Sequence, residues 1–101
     1  MTAYVISEVE VLDEEQGRRY RELAAESIAR YDGRYLVRGA EPEVPEGDWP
    51  PAQRVVVVEF PSMARLREWY HSPEYAEALR IRRTALTRRL LFVEGAGRAG
   101  P

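Results

Sequence analysis

Hydrophobic and polar positions follow two periodicities in turn along the chain. Four short stretches are rich in β-branched residues and either alternate or are continuously apolar, as is typical of strands: Tyr4–Val11, Arg34–Arg38, Arg54–Phe60 and Arg89–Glu94. After the first and after the third of these stretches, apolar residues recur every three or four positions, which predicts helices. The pattern therefore predicts the order strand, helix, strand, strand, helix, strand.

Capping signals bound the helical stretches. Asp13 and Gln16 are placed as a capping box at the start of the first helix. The second helical stretch begins after Ser62 and meets a new start signal at Ser72 and Pro73, because a serine oxygen accepts from free backbone N–H groups and proline suits the first helical position. We expect the second helix to be broken in two, with its later part reaching Leu86.

This order is the split βαβ pattern, an α+β fold in which right-handed crossovers place both helices on one face of a four-stranded antiparallel sheet. The other face stays bare. We expect an apolar patch there, formed by Val55 and Val57 with Tyr4, Ile6, Leu90 or Phe92. A second copy packed sheet to sheet would cover such a patch, so we expect a homodimer.

Composition narrows the functional classes. The 101 residues predict one domain over residues 1–95, followed by a flexible Gly/Ala-rich tail over residues 96–101. The net charge of -2 argues against nucleic-acid binding, and no apolar run is long enough to cross a membrane, so we expect a cytoplasmic protein. The absence of cysteine excludes disulfides and thiolate chemistry, and the absence of lysine excludes Schiff-base chemistry.

Five segments of the chain carry a resemblance to a known family: Ala3–Ile6, Tyr31–Gly39, Glu46–Trp49, Val58–Ser62 and Trp69–Tyr75. The resemblance is to the DUF1330 family of the dimeric α/β-barrel superfamily. It implies a ferredoxin-like fold in a homodimeric α/β barrel, but the family has no established reaction. Its superfamily includes cofactor-independent monooxygenases, isomerases, haem-degrading enzymes and ligand sensors, so fold alone is a weak guide to function.

The segment Trp69–Tyr75 is the first place to look for a site, since it joins two predicted helices and holds the sole histidine. His71 is the only side chain with an unperturbed pKa near neutrality, which makes it the candidate catalytic base or acid. Its alternative role is to cap or hydrogen-bond the break between the helices. No spacing of carboxylates favours a metal site, so we expect neither a metal nor a cofactor.

Charged residues inside strands are further candidates, because a buried charge is costly unless it is paired or used. Arg38 is suited either to holding the acidic group of a ligand or to an ion pair with a carboxylate. Glu59 lies by alternation on the face of Val55 and Val57, where it is a site residue or an ordinary solvated charge.

Aromatic residues could form the walls of a pocket for a flat, apolar substrate, although core packing explains them equally. The substrate-binding candidates, with Arg38 and Glu59, are Tyr4, Tyr35, Trp69, Ser72 and Tyr75. A run of arginines near the last helix end is expected to be a solvated face: Arg80, Arg82, Arg83, Arg88 and Arg89.

Two functional hypotheses follow. The first is a homodimeric protein that binds a small aromatic or acidic molecule between sheet and helices, with cofactor-independent proton transfer or oxygenation as its chemistry if it is an enzyme. The second is a non-catalytic interaction or sensing module whose dimer is the functional unit.

Overall fold

A computed structural model describes residues 1–96 of the chain. Within these residues the elements follow in the order β1 (Ala3–Val11), α1 (Glu14–Arg30), β2 (Arg34–Ala40), β3 (Arg54–Phe60), α2 (Met63–Tyr70), α3 (Pro73–Ala85) and β4 (Leu86–Glu94). The order confirms the predicted βαββαβ fold with its second helix broken in two. Apart from Ala96, the predicted tail lies outside the described residues.

The strands form an antiparallel sheet in the order β2-β3-β1-β4, so β2 and β4 are its edges. On one face, the helix face, Val5 lies opposite Val58 and Phe92, and Ala3 lies opposite Phe60. These side chains are packed with the apolar residues of the three helices into the core. No helix in the described part of the chain is long and apolar enough to cross a membrane.

Serine and aspartate side chains cap the helices as predicted. Asp13 accepts a hydrogen bond of 2.9 Å from the backbone N–H of Gln16, and Ser62 accepts one at the start of α2. Between α2 and α3, Ser72 accepts from the N–H of Tyr75 at 3.1 Å and donates to the carbonyl of Trp69 at 2.7 Å. Since its hydroxyl serves both helix ends, Ser72 holds the break in place.

Trp69 is the centre of the core. Its ring lies 4.2 Å from Tyr75 and 5.3 Å from Phe60, measured between centroids, and its Nε1 donates to Ser27 Oγ at 2.9 Å. A Cβ on Gly33 would come within 2.7 Å of the Phe60 ring, so the turn between α1 and β2 needs a residue without a side chain. This packing brings the aromatic rings of α2 and α3 onto the helix face.

Two bulges interrupt β2. Tyr35 pairs with Val58, but Val37 pairs with Val57 and Arg38 with Val56, so Leu36 has no partner between them. A second shift lies at Gly39, whose φ of +80° suits glycine. The first bulge, at Leu36, lies between Tyr35 and Arg38 and shifts the alternation by one residue. Tyr35 and Arg38 therefore both lie on the helix face.

The bare face carries Tyr4, Ile6, Val55 and Val57, as predicted, but Leu90 and Phe92 lie on the helix face. Their places on the bare face are taken by two exposed neighbours, Leu91 and Val93. The difference arises because the predicted alternation left the register of β4 open, and pairing with β1 sets it.

The boundary between α3 and β4 also differs from the prediction. The helix ends at Ala85 and the strand begins at Leu86, not at Arg89. Leu86 pairs with Val11 at the end of β1, so the pairing with this long strand includes Arg88 and Arg89 in the sheet. Arg88 and Arg89 are therefore strand residues on opposite faces. Arg89 is an exposed strand residue, as predicted, but the prediction that Arg88 belongs to a solvated face near the helix end was wrong.

Candidate functional site

A cavity of about 490 Å³ lies on the helix face, at the end of the sheet where β1 finishes and β3 begins. Its apolar surface comes from Val9, Val11, Val56 and Leu86. Further lining residues are charged or aromatic: Tyr35, Arg38, Arg21, Arg54, Glu10 and Glu14. The size and the mixture of an apolar floor with a few polar groups are typical of a small-molecule site.

Arg38 lies in the wall of this cavity. Its guanidinium carbon is 4.3 Å from the ring centroid of Tyr35, which also lines the cavity. Among the described residues Arg38 forms no ion pair with a carboxylate. Of the two roles predicted for Arg38, the geometry therefore favours contact with a ligand.

A second arginine sits deeper, beside the cavity. Arg88 lies on β4 opposite Val9, and its Nη1 donates to the hydroxyls of Tyr20 at 2.6 Å and Tyr75 at 2.7 Å. The two hydroxyls are 2.7 Å apart. We call Tyr20, Tyr75 and Arg88 the tyrosine–arginine cluster; it joins α1, α3 and β4.

The cluster has hydrogen-bonding capacity left over. Both Nη1 hydrogens of Arg88 go to the two hydroxyls, and the hydroxyls share one further bond in which one of them donates. One hydroxyl proton thus has no acceptor among the described residues. Arg88 Nε and Nη2 also make no hydrogen bond among the described residues. Trp49 Nε1 and Arg82 Nε are fully buried without a partner, whereas these two nitrogens of Arg88 are not fully buried. These donors remain accessible to a ligand.

The charge of the cluster is positive. Burial, assisted by the neighbouring Tyr75, raises the pKa of Tyr20 well above its usual value even though Arg88 opposes the shift. Burial acts to lower the pKa of Arg88, but Tyr20 and Tyr75 outweigh it and the pKa ends above the usual value. At neutral pH Tyr20 is thus uncharged while the guanidinium is charged.

Val9 is the link between the cluster and the cavity. It lines the cavity, and it is the register partner of Arg88 across β1 and β4, so the cluster adjoins the cavity there. Tyr35 also lines the cavity. Burial raises the pKa of Tyr35, and Tyr75 adds to this shift while Arg38 counteracts it.

The structure separates the predicted site residues into three groups. Tyr35 and Arg38 line the cavity, and Tyr75 belongs to the adjoining cluster. Trp69 and Ser72 are buried in the core and in the helix break. The remaining residues lie elsewhere: His71 on the exposed break, and Tyr4 and Glu59 on the bare face. The functional roles of all these residues stay predictions.

Glu59 makes its contacts on the bare face, where alternation places it with Val55 and Val57. It accepts from Arg34 Nε at 2.8 Å and from the Tyr4 hydroxyl at 3.1 Å. The hydrogen bond from Arg34 is the main reason that the pKa of Glu59 is lowered. Glu59 is thus an ionised, paired carboxylate on the side of the sheet away from the cavity.

Sequence reasoning did not single out Tyr20, and it placed Arg88 on a solvated face. A signal for Arg88 was present, since it alternates with Leu86, Leu90 and Phe92 and so shares their face. Within the described residues, no three His, Cys, Asp or Glu side chains are grouped to hold a metal ion.

The fold and the cavity define a ferredoxin-like α+β protein with a site between sheet and helices. Residues 2–96 match the family described as "Domain of unknown function (DUF1330)", so the chain belongs to that family, as the resemblance predicted. No curated protein matches the sequence.

Solved structures share the fold at low sequence identity. A protein of unknown function from Rhodopseudomonas palustris is 20% identical with a TM-score of 0.77, over 93% of this chain and 82% of that one. SnoaB, a cofactor-independent oxygenase from Streptomyces nogalater, is 12% identical with a TM-score of 0.66, over 99% and 98%. A dimeric protein of unknown function with a ferredoxin-like fold from Bacteroides fragilis is 14% identical with a TM-score of 0.56, over 93% and 96%.

Proposed function

We propose that the chain is a homodimeric protein that binds a small aromatic or acidic molecule in the cavity between the sheet and α1. The observation that carries this proposal is the cavity of about 490 Å³, with its apolar floor and with Arg38 in its wall, where no carboxylate of residues 1–96 forms an ion pair with it. A flat apolar body fits the valines and Tyr35, and an acidic group fits the guanidinium.

If the bound molecule is transformed, the chemistry is cofactor-independent proton transfer or oxygenation. The similarity of fold to SnoaB, which is such an oxygenase, supports this class. In this scheme Arg38 holds the developing negative charge, and His71 is the proposed base. Because His71 is exposed at the helix break and does not line the cavity, its role requires a direct test.

Dimerisation through the bare face is the second part of the proposal. Ile6, Val57, Leu91 and Val93 form an apolar strip there, and the charged residues beside them are paired within the chain, Arg34 with Glu59 and Arg89 with Glu8. Charges that are already neutralised cost less to bury against a partner. The Bacteroides fragilis protein of the same fold is dimeric, which supports a dimer for this chain as well.

The first experiment is native mass spectrometry of protein purified from its own cells, followed by denaturation and identification of any released small molecule. We expect a dimer with a stoichiometric aromatic or acidic molecule. A monomer would contradict the proposed assembly.

An empty dimer would favour the second candidate function, a non-catalytic interaction or sensing module. The observation in its favour is the bare face itself, with its apolar strip and internally paired charges. In that case the dimer is the functional unit and the cavity serves no ligand.

His71→Ala tests the catalytic role of the histidine. Because the side chain is exposed, we expect the melting temperature to stay unchanged while turnover of the identified ligand is lost. Unchanged turnover together with an unchanged melt would exclude both a catalytic and a structural role.

A further inference from the structure

We infer that the tyrosine–arginine cluster is the anion-recognition element of this site, and that the ligand is a carboxylic acid bound as its anion with the carboxylate at Arg88. The inference rests on the proposed function, because it specifies which chemical class occupies the cavity. It also identifies Arg88, in addition to Arg38, as a ligand-binding residue.

The lack of a counter-ion for the guanidinium is the first argument. Arg88 is half-buried where α1, α3 and β4 meet, and no carboxylate among the described residues forms an ion pair with it. Two hydroxyls satisfy only one of its nitrogens. A half-buried charge gives up part of its hydration, so an anion supplied from outside the chain would compensate it.

The unused donors give the second argument. Arg88 Nε and Nη2 and one hydroxyl proton of the Tyr20–Tyr75 pair have no acceptor in the described part of the chain. A carboxylate has two oxygens and no proton, so it accepts from such a set without adding a donor of its own. A neutral amide or alcohol of the same shape would carry no charge to pair with the guanidinium, and it would bring a further donor to a cluster whose donors already outnumber its acceptors.

The surroundings limit the rest of the ligand. Val9, the register partner of Arg88, lines the cavity together with Val11, Val56, Leu86 and Tyr35. A ligand whose carboxylate lies at Arg88 therefore places its body against apolar side chains and an aromatic ring. The body of the acid is thus apolar and flat enough to lie along that ring.

The test compares 1-naphthoate with 1-naphthamide, which have the same ring system but differ in charge, by isothermal titration calorimetry on the wild-type dimer at neutral pH. We expect naphthoate to bind and naphthamide to bind at least about tenfold more weakly. Arg88→Gln should remove this difference by weakening naphthoate about tenfold or more. The control Arg83→Gln, an exposed arginine of α3, should change neither affinity.

Arg88→Lys keeps the inference testable if the glutamine variant does not fold. Lysine keeps the charge but not the planar fork, so naphthoate should bind more weakly than to the wild type and still more tightly than naphthamide. Equal binding of the two probes, or an unchanged preference in both Arg88 variants, would overturn the inference and leave the cavity proposal standing. Binding of neither probe to the wild-type dimer would overturn both.

Discussion

Arg88 and Arg89 are adjacent in β4, yet they face opposite sides of the sheet and have different partners. Arg89 is exposed on the bare face and forms an ion pair with Glu8. Arg88 lies on the helix face, where two tyrosine hydroxyls are its hydrogen-bond partners. The same residue type is therefore neutralised on one side of the strand and left charged on the other.

The arginines of β2 repeat this contrast. Arg34 pairs with Glu59 on the bare face, whereas Arg38 lies over the ring of Tyr35 on the helix face. The bare face thus presents apolar and neutralised groups, which suit a protein partner, and the helix face retains two guanidinium groups, which suit an anion. In the proposed function, assembly and recognition are therefore divided between the two faces.

The largest effect is expected from a charge placed in the apolar strip of the bare face. In Leu91→Arg the new guanidinium has no partner in the proposed interface, so we expect the dissociation constant of the dimer to rise about 100-fold or more. Analytical ultracentrifugation measures the change. Val44→Arg, a substitution of another exposed apolar residue in the β2–β3 loop, is the control and should leave the dimer intact. A Leu91→Arg protein that remains dimeric would show that the bare face is not the interface.

Two adjacent valines of β3 allow the packing of the two faces of the sheet to be compared within a single strand. In the monomeric Leu91→Arg background, Val58→Ala should lower the free energy of unfolding by about 2 kcal/mol, since Val58 is buried on the helix face. Val57→Ala should cost less than about 1 kcal/mol there, because its face is uncovered. Urea denaturation gives both values. Equal costs would mean that the bare face is packed even in the monomer.

The smallest expected effect concerns acid stability. Because the hydrogen bond from Arg34 lowers the pKa of Glu59 in the folded chain, this carboxylate stabilises the fold above its unfolded pKa, and the contribution is lost as the pH falls through the folded pKa. We expect Glu59→Gln to melt below the wild type at neutral pH and to converge with it in acid.

Thermal melts across this pH range check the acid prediction. Glu26→Gln, on the exposed side of α1, is the control. A constant gap between Glu59→Gln and the wild type at every pH would mean that the ion pair is not responsible.

The fold could be predicted in nearly all its parts because local signals set its boundaries. The serine at position 72 and the proline after it gave the helix break, and the β-branched residues gave the strands. The first error came at the end of α3, where arginines suit a helix end and a strand equally. There the pairing of Leu86 with Val11 decides the boundary, and the residue types near Leu86 give no local signal of that pairing.

The site was predictable only in part, because contacts between residues that are distant in sequence also decide which side chains meet there. Arg38 and Tyr35 were named from their residue types, but the tyrosine–arginine cluster joins three elements that are far apart in sequence. His71 drew attention because of its chemistry, and the fold places it on the surface. Residue type indicates which groups can act, whereas register decides which of them meet.

The unpaired Leu36 of β2 decides which face of the sheet Arg38 occupies. Arg38 is three positions after Tyr35, so strict alternation would place it on the side of Glu59, but the bulge at Leu36 takes up one position and returns Arg38 to the helix face. Loss of the Leu36 codon would straighten the strand and leave Tyr35 and Arg38 on one face, whereas pairing of Leu36 in a regular strand would move the positive charge to the opposite face with no change of sequence. The bulge, and not the order of residue types, therefore selects the side of the sheet that carries the charge, and comparison of aligned residue types alone does not reveal which side that is.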